Sequence, residues 1–116
     1  MYPRDKVFKL CLADGEDILG LVCLDYIDTD KRVEVQLLAV SKENLGSDKK
    51  YDGIAGCLIA FACDHALMCY GEEACISLVP KSILRHHYMD RYGMKEAGPR
   101  LYLDGQHLRH FILIYK

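Results

Sequence analysis

Apolar and polar residues change rhythm several times along the chain, and each change marks an element. Residues 6–13 (KVFKLCLA) alternate and predict a strand. A turn at Asp14, Gly15, Glu16 and Asp17 leads into 18–26 (ILGLVCLDY), a second strand that returns as a hairpin. Another turn at 28–31 precedes 32–40 (RVEVQLLAV), a third strand whose apolar end suits cover on both faces. These strands form a meander. From 41 to 52 the chain is polar, a loop long enough to raise the question of function. Residues 53–70 (GIAGCLIAFACDHALMCY) are apolar on most sides, lack proline and stop at Gly71, which predicts a buried helix with a glycine C-cap.

Residues 74–79 predict a short strand. Pro80, Lys81 and Ser82 open a second helix, with Ser82 as N-cap, Leu84, Tyr88 and Tyr92 at every fourth position and Gly93 as its end. Residues 100–103 (RLYL) and 108–115 (LRHFILIY) read as two closing strands. The order βββ-α-β-α-ββ predicts a single α/β domain, layered, with a mostly antiparallel sheet and one crossover helix. The final strand is apolar on both faces and should not be left as a bare edge, which predicts a homodimer.

Composition narrows the class. The 116 residues are 51% hydrophobic and 28% charged, as in a folded globular domain. A net charge of -2 gives no general attraction to nucleic acid or anionic lipid. No run approaches the roughly 18 uninterrupted apolar residues of a membrane span, and the first residues have no signal-peptide pattern, so a cytoplasmic protein without membrane attachment is expected. The six cysteines form no C-x-x-C pair, and no histidine stands at zinc-finger spacing from them. Buried, reduced core thiols are expected instead. His86, His87, His107 and His110 carry no ligand pattern, so no metal is expected, and no Gly-x-Ser-x-Gly motif points to a hydrolase.

The stretch that carries chemistry joins the third strand to the first helix: Leu37-Leu38-Ala39-Val40, then Lys50-Tyr51-Asp52-Gly53-Ile54-Ala55-Gly56. Glycines at a loop-to-helix junction let backbone N–H groups converge on an anion at the positive end of a helix. Lys49 and Lys50 would reinforce such a nest, although glycines also simply begin helices.

Lys50-x-x-Gly53-x-Ala55 resembles the pyrophosphate signature Q/R-x-x-G-x-G/A of the GNAT acetyltransferases, with Lys in the first position. It follows an apolar strand ending Leu38-Ala39-Val40 and opens a long apolar helix, as that family requires. YMDRYGM at 88–94 is similar to the family's later helix. The resemblance covers about residues 6–116 and implies a minimal core without the family's usual N-terminal strand and first two helices. It implies acetyl-CoA as the cofactor, with pantetheine paired near Leu38 and Val40 in a gap between the third and fourth strands. Lys50, Gly53, Ile54, Ala55 and Gly56 would hold the pyrophosphate, and Ser82 stands near where many members have Asn. Direct acetyl transfer to the primary amine of a small molecule or peptide follows. Such chemistry needs a base and an acid. Glu34, which shares a strand face with Gln36, is the candidate base; the alternative is a solvent-facing strand residue. Tyr88 is the candidate acid, five residues before Gly93 where the family's tyrosine stands four before, and the alternative is core packing. The competing class is a module that binds acyl-CoA or a protein partner without turnover. A macromolecular acceptor such as a protein end or a charged tRNA is a third reading, and the scattered basic residues argue against the RNA version.

Overall fold

The computed structural model describes residues 6–11, 18–40 and 48–115. Their strands are β1 (Lys6–Cys11), β2 (Ile18–Ile27), β3 (Arg32–Val40), β4 (Cys75–Leu78), β5 (Lys95–Ala97) and β6 (Arg100–Asp104). The helices are α1 (Asp48–Tyr70), α2 (Arg85–Tyr92) and α3 (Gln106–Tyr115). One six-stranded sheet runs β1-β2-β3-β4-β6-β5. Every pairing is antiparallel except β3 with β4, which α1 connects as the crossover. The α/β architecture with its mostly antiparallel sheet is the one the sequence predicts.

Alternation sets the faces of the sheet. Val22, Leu24 and Tyr26 of β2, Val33 and Val35 of β3, Ile76 and Leu78 of β4, and Leu101 and Leu103 of β6 are all buried. Ala55, Leu58, Ile59, Ala62, Cys63 and Ala66 of α1 join them in one core. Gly20 allows α1 to lie close to the strands: a Cβ there would stand 2.9 Å from both the Ala39 carbonyl oxygen and Leu58 Cδ1. Tyr26 adds a polar tie, its hydroxyl bonded to His65 Nδ1 of α1 at 2.7 Å. The Gly53–Glu73 stretch is long and apolar enough to cross a membrane. Its contacts with β2, β3, β4 and α3 account for that apolarity, and Asp64 and His65 interrupt it.

Several sequence expectations are corrected. Residues 108–115 are the helix α3, not a strand: Leu108 and Phe111 are buried and Ile112 and Tyr115 pack beside them, a helical i, i+3, i+4, i+7 face laid on α1. The apolar edge strand invoked for a homodimer is therefore absent, and the sheet's edges are β1 and β5. Helix α1 begins at Asp48, inside the expected 41–52 loop, whose residues 41–47 lie outside the described ones. Ser82 opens a 3₁₀ turn, and no side-chain cap bond precedes either that turn or α2, although Gly93 does end α2 in the left-handed conformation at φ 68°. Of the cysteines with described side chains, Cys63 is buried, Cys23 and Cys75 are half-buried, and Cys57 and Cys69 are exposed. All five are free thiols; burial, with Asp104 nearby, pushes Cys75 up to about 11.

Candidate active site

Strands β3 and β4 pair only from Arg32↔Cys75 to Val35↔Leu78. Strand β4 ends there, whereas β3 continues through Gln36 to Val40, held on its other side by β2. The register with β2 shifts at this point. Cys23 pairs with Leu37 and Leu24 with Val35, so Gln36 is the extra residue of a β-bulge, and its Nε2 donates to Asp25 Oδ2 at 3.0 Å. The bulge falls where the β3–β4 pairing stops; beyond it residues 36–40 have no strand partner on the β4 side among the described residues, and that unpaired edge is the opening. Alternate N–H and C=O groups of a strand point away from its antiparallel partner. On β3 beyond Val35, those groups face the opening.

The candidate cofactor residues lie on β3, on α1 and in the turn after β4. Leu38 is half-buried against the core beside exposed Leu37; Val40 ends β3. Lys50 lies in the first turn of α1, where the initial N–H groups have no partner within the helix. Gly53 is in the second turn, exposed, with nothing within 4 Å of a Cβ position. Ile54 is half-buried on the core and Ala55 is fully buried. Gly56 is covered by the ring of Tyr115, whose Cγ would stand 2.9 Å from a Cβ there. The expected stretch 50–56 thus lies within α1, which starts at Asp48: Lys50 is in its first turn, and Gly53 is the exposed glycine of the stretch. Ala55 and Gly56 face the interior. Ser82 is exposed in the turn after β4.

Glu34 faces the side of the sheet opposite α1, one residue before the last β3–β4 pair. It is neither solvated nor a free base. Arg100 donates to it twice, Nε to Oε1 at 2.5 Å and Nη2 to Oε2 at 3.2 Å. Arg32 Nη1 and Ser77 Oγ each donate to Oε1 at 2.9 Å, and Arg32 Nη1 also reaches Ser77 Oγ at 2.7 Å. Arg100 above all, with Ser77 and Arg32, holds the Glu34 carboxyl below its ordinary value of 4.5 against the opposing effect of burial. A carboxylate so held is a weak proton acceptor. Sequence reasoning missed Ser77 and Arg100, because β4 and β6 come beside β3 only through the sheet order; it also missed Arg32, which i, i+2 alternation on β3 places on the same face as Glu34.

Tyr88 is buried on α2, its ring stacked on Tyr92 at 5.5 Å. Tyr92 in turn meets Phe111 at 5.5 Å and Tyr115 at 5.7 Å, and Phe111 stacks on Tyr115 at 4.7 Å. This aromatic chain links the candidate acid to the glycine face of α1.

No protein-family model matches the sequence, and no curated protein does. Solved structures do match. A spermidine/spermine N-acetyltransferase, SpeG of Vibrio cholerae, aligns over 97% of this chain and 69% of its own, at TM-score 0.66 and 17% identity. A Bacillus subtilis acetyltransferase in complex with CoA aligns over 87% and 77%, at TM-score 0.61 and 17% identity. The chain has the GNAT acetyltransferase fold. Nourseothricin acetyltransferase shares this GNAT fold over 86% of the chain at TM-score 0.59 and 20% identity, and the chain spans only 64% of that protein.

Proposed function

We propose that the chain binds acetyl-CoA between β3 and β4 and transfers its acetyl group to an amine. The observation that carries this reading is the early end of the β3–β4 pairing at Val35↔Leu78, with the start of α1 following β3. Pantetheine would pair with β3 near Leu38 and Val40. The pyrophosphate would sit at the first turn of α1, with Lys50 and Gly53 beside it. In the transfer, the neutral amine's nitrogen bonds to the thioester carbonyl carbon, the C–S bond breaks, the amine's surplus proton passes to water, and the thiolate takes up one proton. Tyr88 is the proposed donor to the thiolate. Glu34 serves better as an anion for an ammonium group than as a base, given its arginine partners. The neighbours' acceptors, spermidine and spermine among them, support an amine as the class.

A coupled assay of free CoA thiol tests this. Purified protein, acetyl-CoA and a panel of polyamines, amino sugars and peptides with free N-termini should give amine-dependent thiol release. Binding of acetyl-CoA with no release across the panel would favour the second reading, a non-catalytic acyl-CoA module. Two observations speak for that alternative: the carboxylate of Glu34 is already ion-paired, and Tyr88 is packed among aromatic rings.

A further inference from the structure

The ion-pair cluster on the open sheet face is asymmetric. Among the described residues, Arg32 bonds to Asp30, Glu34 and Ser77, and its side chain is 18% exposed. Among the described residues Arg100 bonds to Glu34 alone, and it is 43% exposed, against 13% for Glu34 itself. The two carboxylate oxygens differ as well. Among the described residues, Oε1 accepts from Arg32, Ser77 and Arg100, whereas Oε2 accepts only from Arg100 Nη2.

An arginine that is nearly half exposed and held by one carboxylate costs less to move. One held by three partners and mostly covered costs more. If Arg100 swings into solvent, Oε1 keeps Arg32 and Ser77, so the carboxylate remains ionised and fixed. Oε2 is then open, beside the point where the β3–β4 pairing stops. Ser77 makes the reach across β4 feasible: it stands between Glu34 and Tyr102 in register, and its small side chain lets the Arg100 guanidinium pass over it.

We propose that Arg100 is a displaceable internal counter-ion occupying the place of a cationic acceptor at Glu34, so that the site selects amines bearing a positive charge. This rests on the transferase reading for its biological sense, but the ion exchange is measurable without turnover. The acceptor class is then a diamine or polyamine, whose one ammonium replaces the guanidinium on Oε2 while its other nitrogen is free to react. Arg100 is a specificity residue in this scheme, acting through Glu34.

The test is titration of the whole chain with 1,4-diaminobutane and with 1,4-butanediol, with and without acetyl-CoA. Arg100→Gln should bind the diamine about 2–5-fold more tightly than wild type, the equivalent of removing one exposed ion pair. Arg100→Lys should fall between them and serves if the Gln variant fails to fold. Glu34→Gln should lose diamine binding, and the diol should distinguish none of these proteins. A folded Arg100 variant with unchanged or weaker diamine affinity would overturn the proposal, as would an equal gain for the diol or no diamine binding to any of the proteins. Failure of acetyl-CoA to bind would defeat the transferase reading separately, because the diamine comparison is also made in its absence.

Discussion

Replacing Gly56 by alanine puts a methyl group where the Tyr115 ring now lies. The new Cβ would stand 2.9 Å from Tyr115 Cγ and closer still to Cδ1 and Cε1. Carbon atoms in ordinary contact are about 3.5–4.0 Å apart, so the ring must move by more than a rotamer adjustment. It cannot slide freely, being stacked on Phe111 at 4.7 Å and edge-on to Tyr92 at 5.7 Å. Losing two aromatic pairs at about 0.5–1.5 kcal/mol each costs about 2 kcal/mol. Alanine in a helix interior returns about 1 kcal/mol over glycine. The net expectation is a loss of about 1 kcal/mol, read as a fall in melting temperature of about 3–6 °C for a domain of this size. The assay is a double-mutant cycle by urea unfolding with Tyr115→Ala. In that background the clash is gone and Gly56→Ala should stabilise by about 0.5–1 kcal/mol. A Gly56→Ala protein as stable as wild type, or one destabilised equally in both backgrounds, would refute the packing of α3 on α1 described here.

Three further outcomes are expected. Gly53→Glu should abolish acetyl-CoA binding by calorimetry while the melting temperature holds, because Gly53 is exposed with nothing within 4 Å of a Cβ; retained affinity would remove the pyrophosphate site from α1. If Tyr88 protonates the thiolate, Tyr88→Phe should lower turnover about 10²–10⁴-fold with acetyl-CoA affinity unchanged, whereas a packing role predicts near-full activity and about 1 kcal/mol of lost stability. The Glu34 carboxyl lies below its ordinary 4.5, so its contribution to stability is present above that value and disappears as pH falls through the lower folded one. The stability gap between wild type and Glu34→Gln, measured by urea unfolding from about pH 7 to about pH 3, should therefore narrow with acid; a constant gap would contradict the ion pairing.

Much of the fold is legible in the sequence because alternation and punctuation are local. Strand β3 runs over the predicted 32–40, and Gly71 and Gly93 take up the positive φ angles that end α1 and α2. The misreadings have physical sources. In 108–115 the β-branched and aromatic run masks a helical face of Leu108, Phe111, Ile112 and Tyr115, and only α1 as a neighbour decides between them. Lys95–Ala97 has no buried side chain and is a strand solely through its pairing with β6. The first turn of α1, Asp48 to Asp52, is polar and gives no apolar signal of a helix. At the site, Glu34 is visible as a strand carboxylate. Its partners Ser77 and Arg100 are 43 and 66 residues away, and the crossover that joins them to it is a property of the sheet. The resemblance to the GNAT signature points to the β3–α1 region around the opening, while the depth of Ala55 and Gly56 within α1 depends on where that helix begins.

The central claim is that acetyl-CoA occupies the opening between β3 and β4. Backbone amide shifts of ¹⁵N-labelled protein, followed during titration with acetyl-CoA, test it most directly. The largest changes should fall on Gln36 to Val40 and on the first turns of α1 from Asp48 to Gly53, with β1 and β5 little affected. Saturable binding with its shifts centred elsewhere, or no shifts at millimolar acetyl-CoA, would contradict it.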